Sequence, residues 1–253
     1  MPRSIVSRRG LLAAATASTI GLLPKEALAA PLVIGSEDYP PYAFSFRGGR
    51  KGFDVERVSM ALDLIHMRPI HRSMVRSALF AGLEDGTVDL AFPFTRTPVR
   101  ESKYIISGAL HTNRFVLAKR TADAHEPMGL ESLAGMRVAV TDRHRYPAAF
   151  DALTNITRVS CSSLDLAVRR LGYGRVDAVI GDLSAMAGIV HHEGLEHKVR
   201  ISSTIIAAGP AYALFPKSRA ALATSFADAL KKLEAAGKFK DVESRFPMVE
   251  PPK

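Results

Sequence analysis

The chain predicts an α/β fold of two lobes, each a mainly parallel sheet flanked by helices, joined by two crossover strands. Three observations carry this. Apolar, β-branched runs of strand length alternate with segments whose apolar residues recur at helical spacing, the pattern of parallel strands linked by helices. Two β-like runs, 114–119 and 211–215, flank the middle third of the chain, so that third reads as an inserted lobe entered and left by strand. With 47% hydrophobic and 23% charged residues among 253, the chain can bury full cores without disulfide or metal staples.

The elements follow in order. Leu32-Val33-Ile34-Gly35 is a first strand, ending in the turn-rich Ser36-Glu37-Asp38-Tyr39-Pro40-Pro41-Tyr42. Over 54–66 the residues Val55, Val58, Ala61, Leu62 and Ile65 keep a helical period. A second helix over 77–84 stops at Gly86, a residue suited to the left-handed position after a helix. Strands follow at 88–92, 138–140, 156–161 and 176–180, with helices at 147–153, 164–171 and 183–189. A long amphipathic helix over 219–236 closes at Gly237, and a shorter one over 239–246 precedes a Pro-rich tail.

Residues 1–29 read as an export signal: basic Arg3, Arg8 and Arg9, an apolar stretch over 11–23, then Ala27-Leu28-Ala29 as a small-x-small cleavage site. Ser7-Arg8-Arg9-Gly10-Leu11-Leu12 resembles the twin-arginine export motif, with Leu for the usual Phe and Ala13 for the usual Lys. An ordinary secretory signal containing a chance Arg pair fits the same residues. Cleavage would remove four basic residues and one acidic one, taking the formal charge from +9 to +6. No later segment is apolar enough to span a membrane, so the expectation is a soluble periplasmic protein. The basic charge is spread along the chain and there is no Trp, which argues against a nucleic-acid partner. Cys161 is the single cysteine, excluding an intramolecular disulfide and a Cys-based zinc site; its strand-like setting reads as a buried small hydrophobe.

Arg100 has the clearest physical case for binding. The strand at 88–92 leads through Thr95 to Thr97, suited to cap a helix, and Pro98, suited to its first position. Arg100 then stands in the first turn of a helix at the C-terminal edge of a sheet, where α/β folds bind ligands. A guanidinium there can fork onto a carboxylate, and Thr95 would add a hydroxyl and an N–H. A surface Arg on a capped helix is the bland alternative. Asp182 ends a strand and precedes a helix, so a simple cap accounts for it. His191, His192 and His197 fit no common zinc spacing, and neither a phosphate-cradling Gly-rich loop nor a Gly-x-Ser-x-Gly elbow is present. No cofactor is expected.

Seven motifs in a fixed order carry a resemblance. They are Glu37-Asp38-Tyr39-Pro40-Pro41-Tyr42, Gly52-Phe53-Asp54-Val55-Glu56, LEDGTVD from Leu83 to Asp89, Thr97-Pro98-Val99-Arg100, the run from Leu130 to Val140, VDAVIGD from Val176 to Asp182, and Gly237-Lys238-Phe239. Over nearly the whole mature chain the sequence resembles the type II periplasmic solute-binding proteins of amino-acid ABC transporters. The resemblance implies a binding protein without enzymatic activity, a monomer that closes two lobes on an amino acid or similar small carboxylate and delivers it to an ABC permease. It implies lobe 1 over 30–116 and 210–253 and lobe 2 over 117–209. Arg100 would hold the ligand carboxylate, Asp182 its α-ammonium, and Tyr39 and Tyr42 would form an aromatic wall. The family's second aromatic wall position falls on Arg76, and its Gly-Thr-Thr is replaced by Asp142-Arg143-His144-Arg145, which makes Arg76 and Arg143 candidates for contact with an anionic ligand side chain. Two alternatives share the scaffold: a cyclohexadienyl dehydratase-like enzyme, with Glu37 as its acid, and a sensory binding domain.

Overall fold

The computed structural model describes residues 31–125, 128–142 and 144–249. The expected export signal and Arg143 lie outside them. Eleven strands, eight α-helices and three short 3-10 turns form among the described residues, and no helix there is long and apolar enough to cross a membrane.

In the first half of the main sheet, β1 (Leu32–Ser36) lies parallel between β4 (Pro69–Ser73) and β5 (Leu90–Thr95). Helices α1 (Phe53–Leu64), α2 (Arg76–Asp85) and α3 (Pro98–Lys103) connect or follow these strands, and β2 (Phe44–Phe46) and β3 (Gly49–Lys51) make a separate hairpin. In the second half, β7 (Arg137–Thr141) lies parallel between β8 (Thr157–Cys161) and β9 (Ala178–Asp182). Its helices are α4 (Ala148–Asp151), α5 (Leu164–Gly172) and α6 (Leu183–His192).

Two long strands join the halves. β6 (Tyr104–Arg120) runs for 17 residues, a span of roughly 55 Å for an extended chain. It pairs antiparallel with β11 (Ala207–Pro216) from Tyr104↔Pro216 to Phe115↔Ala207, then with β9 from Phe115↔Asp182 to Lys119↔Ala178. The short β10 (Val199–Ile201) also pairs with β6. The runs expected at 114–119 and 211–215 are the apolar portions of these strands. Helices α7 (Ala220–Ala235) and α8 (Lys240–Arg245) return to the first half, where Phe226, Leu230 and Phe239 join Val58, Leu62 and Phe92 in its core. The other half packs Phe115, Leu117, Val138, Phe150 and Ile180 into a core of its own.

Two expected strands begin later than their apolar runs. β5 starts at Leu90 and β9 at Ala178, because Val88-Asp89 and Val176-Asp177 serve as anchors ahead of the strands. Both valines are buried. Each aspartate accepts a hydrogen bond from a backbone N–H of the adjoining strand, Asp89 from Val33 and Asp177 from Arg137. No expectation covered β4, which is largely polar, or β2, β3 and β10, which at three residues each are too short for an alternation to announce a strand.

Gly52 locks two of the motifs together. Its φ of 131° lies where only glycine is comfortable, and any Cβ would collide with the Tyr42 backbone. That close approach lets Phe53 N–H donate to Pro41 O and Asp54 N–H to Tyr42 O. The start of α1 thereby fixes the turn that presents Tyr39 and Tyr42.

Candidate functional site

The candidate site lies where the C-terminal ends of β1 and β5 face the loop after β7. Thr97 caps α3 by accepting the Arg100 N–H at 3.2 Å, and Pro98 occupies the first helical position. The Arg100 side chain turns back onto the strand end, where Nη1 donates to Thr95 O at 2.6 Å and to Thr95 Oγ1 at 2.8 Å. Its guanidinium lies 5.2 Å from the Phe94 ring centroid and only 7% of the residue is exposed. Burial, with the charges of Arg76 and Arg145, pushes Arg100 down to about 10, so it stays cationic at neutral pH.

Arg76 opens α2 and reaches Glu37 in the loop after β1. Its Nε donates to Glu37 Oε2 at 2.7 Å, and Nη2 sits 2.5 Å from the same oxygen. From the other half, His144 and Arg145 approach on the loop after β7, and Asn113 approaches on β6. These groups, with Tyr39, Phe94 and Thr95, enclose a cavity of about 30 Å³. A second cavity of about 60 Å³ shares Glu37, Tyr39, Arg76 and His144 with the first and is completed by Thr141, Tyr146, Ser162 and Ser163. Burial, reinforced by Arg76 and Arg100, pushes the His144 imidazole down to about 3, so it is neutral at neutral pH.

Asp182 has the capping role that its sequence position suits, at a buried site. It caps α6 by accepting the Ala185 N–H at 3.0 Å on Oδ1. The same oxygen accepts the Tyr42 hydroxyl at 2.8 Å, and Oδ2 accepts the Arg114 N–H at 2.9 Å. Only 1% of the residue is exposed, so its carboxylate is enclosed by the protein's own donors. Tyr42, also 1% exposed, is not a cleft wall. It lies between Tyr39, at 5.6 Å between ring centroids, and His111, at 3.7 Å. His111 in turn bonds Asp54 Oδ1 at 2.9 Å and Asn113 Oδ1 at 3.1 Å. Burial pushes the His111 imidazole down, but the Asp54 charge and hydrogen bond, with Asp182 and Asn113, outweigh it and hold the ring above its ordinary value.

Of the sequence candidates, Tyr39, Arg76, Thr95 and Arg100 line the cleft. Tyr42 and Asp182 bond each other beneath it, because a buried carboxylate needs donors and the Tyr42 hydroxyl joins the Ala185 and Arg114 N–H groups in supplying them. From the 142–145 run, His144 and Arg145 line the cleft, and Arg143 lies outside the described residues. Asn113 was not foreseen, and nothing in its local sequence marks it.

The sequence profile of the bacterial extracellular solute-binding proteins, family 3, matches residues 32–248. The chain belongs to that family. Among solved structures, the chain is similar to a histidine kinase sensor domain with similarity to periplasmic binding proteins, at a TM-score of 0.78, 22% identity, and coverage of 88% of this chain and 98% of that one. It is similar to an ancestral arginine-binding protein bound to arginine, at 0.77 and 19% identity, with 86% and 98% covered. The arginine-, lysine-, histidine-binding protein of the thermophilic bacterium Geobacillus stearothermophilus matches at 0.75 and 21%, with 88% and 97% covered. At these identities the likeness concerns the fold, the type II periplasmic binding protein architecture, and not the ligand. No curated protein matches by sequence. Among family 3 proteins, then, this chain is described by its own cleft: cationic on one side, with the neighbouring acid sealed.

Proposed function

We propose that this family 3 protein captures a small carboxylate, amino acids included, by closing its two lobes, and delivers it in the periplasm to an ABC permease. The lobes divide at 116/117 and 209/210, inside β6 and β11, so these two strands act as the hinge; hinge closure around a ligand is a known repertoire for binding proteins. Export of a monomer by the signal at 1–29 completes the reading. The observation that carries it is Arg100. It is buried at a cavity, backed by Thr95 and makes no ion pair among the described residues. A buried cation in that position favours an anion from outside.

Calorimetry and thermal shift with a panel of amino acids and small carboxylates test the reading, since a ligand bound only by the native state raises the melting temperature. A binder whose affinity is lost in Arg100→Ala supports it. Unchanged affinity in that variant overturns the assignment.

Sensing is a second reading, favoured by the likeness to a kinase sensor domain. Signalling would use the same capture step and pass the closed state to a separate partner. The dehydratase-like reading is weaker, because Glu37, its candidate acid, is engaged by Arg76. Turnover of prephenate or arogenate would restore it.

A further inference from the structure

We infer that the cleft selects a small dicarboxylate lacking an α-ammonium group, of about the size of a four-carbon diacid, over the corresponding amino acid. This rests on the carboxylate-capture reading above and narrows it to a ligand class.

The first support is the distribution of charge. Arg100 and Arg145 border the cavity without an ion-pair partner among the described residues, while Arg76 is matched by Glu37. A neutral amino acid brings no net charge to such a site, and aspartate brings its two carboxylates together with an ammonium, whereas a diacid brings one carboxylate for each remaining guanidinium and no cation. The guanidinium groups of Arg76, Arg100 and Arg145 all border this cavity, and their charges would repel an ammonium placed among them.

The second support is that, among the described residues, the acids at the cleft already have partners of their own. Asp182 already accepts from Tyr42, Ala185 and Arg114 and is almost wholly buried. Displacing the Tyr42 hydroxyl means breaking into a ring stack fixed by His111 and Tyr39. The other acids at the cleft are held too, Glu37 by Arg76 and Asp38 by Arg50. An ammonium stripped of water without a carboxylate partner is strongly disfavoured.

Size is the third. At roughly 10–15 Å³ of cavity per water-sized group, the two spaces, which share Glu37, Tyr39, Arg76 and His144 as walls, together hold on the order of six to nine non-hydrogen atoms. Succinate and malate fall in that range. So does aspartate, which makes the malate–aspartate pair a clean comparison: one has a hydroxyl where the other has an ammonium.

The test is calorimetry on the purified protein with succinate, malate, glutarate and 2-hydroxyglutarate against L-aspartate and L-glutamate. The expected result is binding of at least one diacid about tenfold or more tighter than its amino-acid counterpart, as repulsion of a misplaced charge predicts. Tyr42→Phe, which withdraws the hydroxyl from Asp182 Oδ1, should narrow that gap by about threefold or more through better amino-acid binding. Equal or tighter binding of an amino acid overturns the inference, and if that binding is lost in Arg100→Ala the carboxylate-capture reading survives it. If none of these compounds binds at millimolar concentration, the inference falls, while the carboxylate-capture reading is decided by the wider panel of amino acids and small carboxylates.

Discussion

The two halves of the molecule start their ligand-side strands in the same way and finish them in opposite ways. In each, a Val-Asp pair precedes the strand, the valine is buried, and the aspartate accepts a neighbouring backbone N–H. At the far end of β5 the helix cap is the neutral Thr97, three residues before the charge on Arg100. At the far end of β9 the cap is the charge itself, since Asp182 both caps α6 and accepts Tyr42 and Arg114. Separating the cap from the charge leaves the charge available to a solute. Merging them spends it on the fold.

The largest expected effect comes from breaking the available charge. Arg100→Ala should weaken the bound carboxylate by roughly a hundredfold or more, in line with about 2–5 kcal/mol for truncating a buried charged partner. Its melting temperature should change little, and Arg100→Lys should not restore affinity because the planar fork is lost. Calorimetry together with circular dichroism separates the two effects.

Breaking the merged charge should do the reverse. Asp182→Ala removes a cap and two further charge-assisted bonds at a buried position, which predicts a loss of about 2–4 kcal/mol in stability. Urea denaturation reads this directly. A stability loss below about 0.5 kcal/mol would mean that Asp182 is not structural in this half.

The paired anchors sharpen the comparison further. Asp89 is 5% exposed and also pairs with Arg219, whereas the side chain of Asp177 is 27% exposed beside Arg137. Asp89→Asn should therefore cost more than Asp177→Asn, by about 1 kcal/mol, because the same hydrogen bond is harder to replace with water where it is buried. Equal losses would show that the two anchors differ only in appearance.

A further effect is a pH slope. Burial, with Arg50 nearby, pushes His71 down to about 4, and burial with Arg76 and Arg100 pushes His144 to about 3. Both are neutral when folded, while the unfolded chain takes up protons below about 6.5. Their contribution is therefore fully present above pH 6.5 and is lost as the pH falls toward 3. His144→Asn should flatten the fall of melting temperature between pH 6.5 and 4 without altering the value at pH 8. A parallel shift at all pH values would assign His144 a packing role only.

Much of the fold was legible because its signals are local. A 3.6-residue period marks α1, a Gly in the left-handed conformation ends α2 at Gly86, and Thr97 with Pro98 announces α3 and so places Arg100. The late starts of β5 and β9 were less legible, since a buried valine in an anchor reads the same as a buried valine in a strand. The motif series put Arg76 at the start of α2, but its pairing with Glu37 depends on how the loop after β1 meets that helix.

By itself the sequence determined the alternation of strands and helices, the crossing runs, the cap that positions Arg100, and the ordered motifs of family 3, because each is written in residues close together along the chain. Only the tertiary structure decided that Tyr42 and Asp182, 140 residues apart, would bond each other, that His111 would join Asp54 across 57, and that Arg145 would stand near Arg100. These contacts exist because β6 and β11 carry one half of the sheet to the other, and no local pattern records which side chains meet when distant segments are brought together.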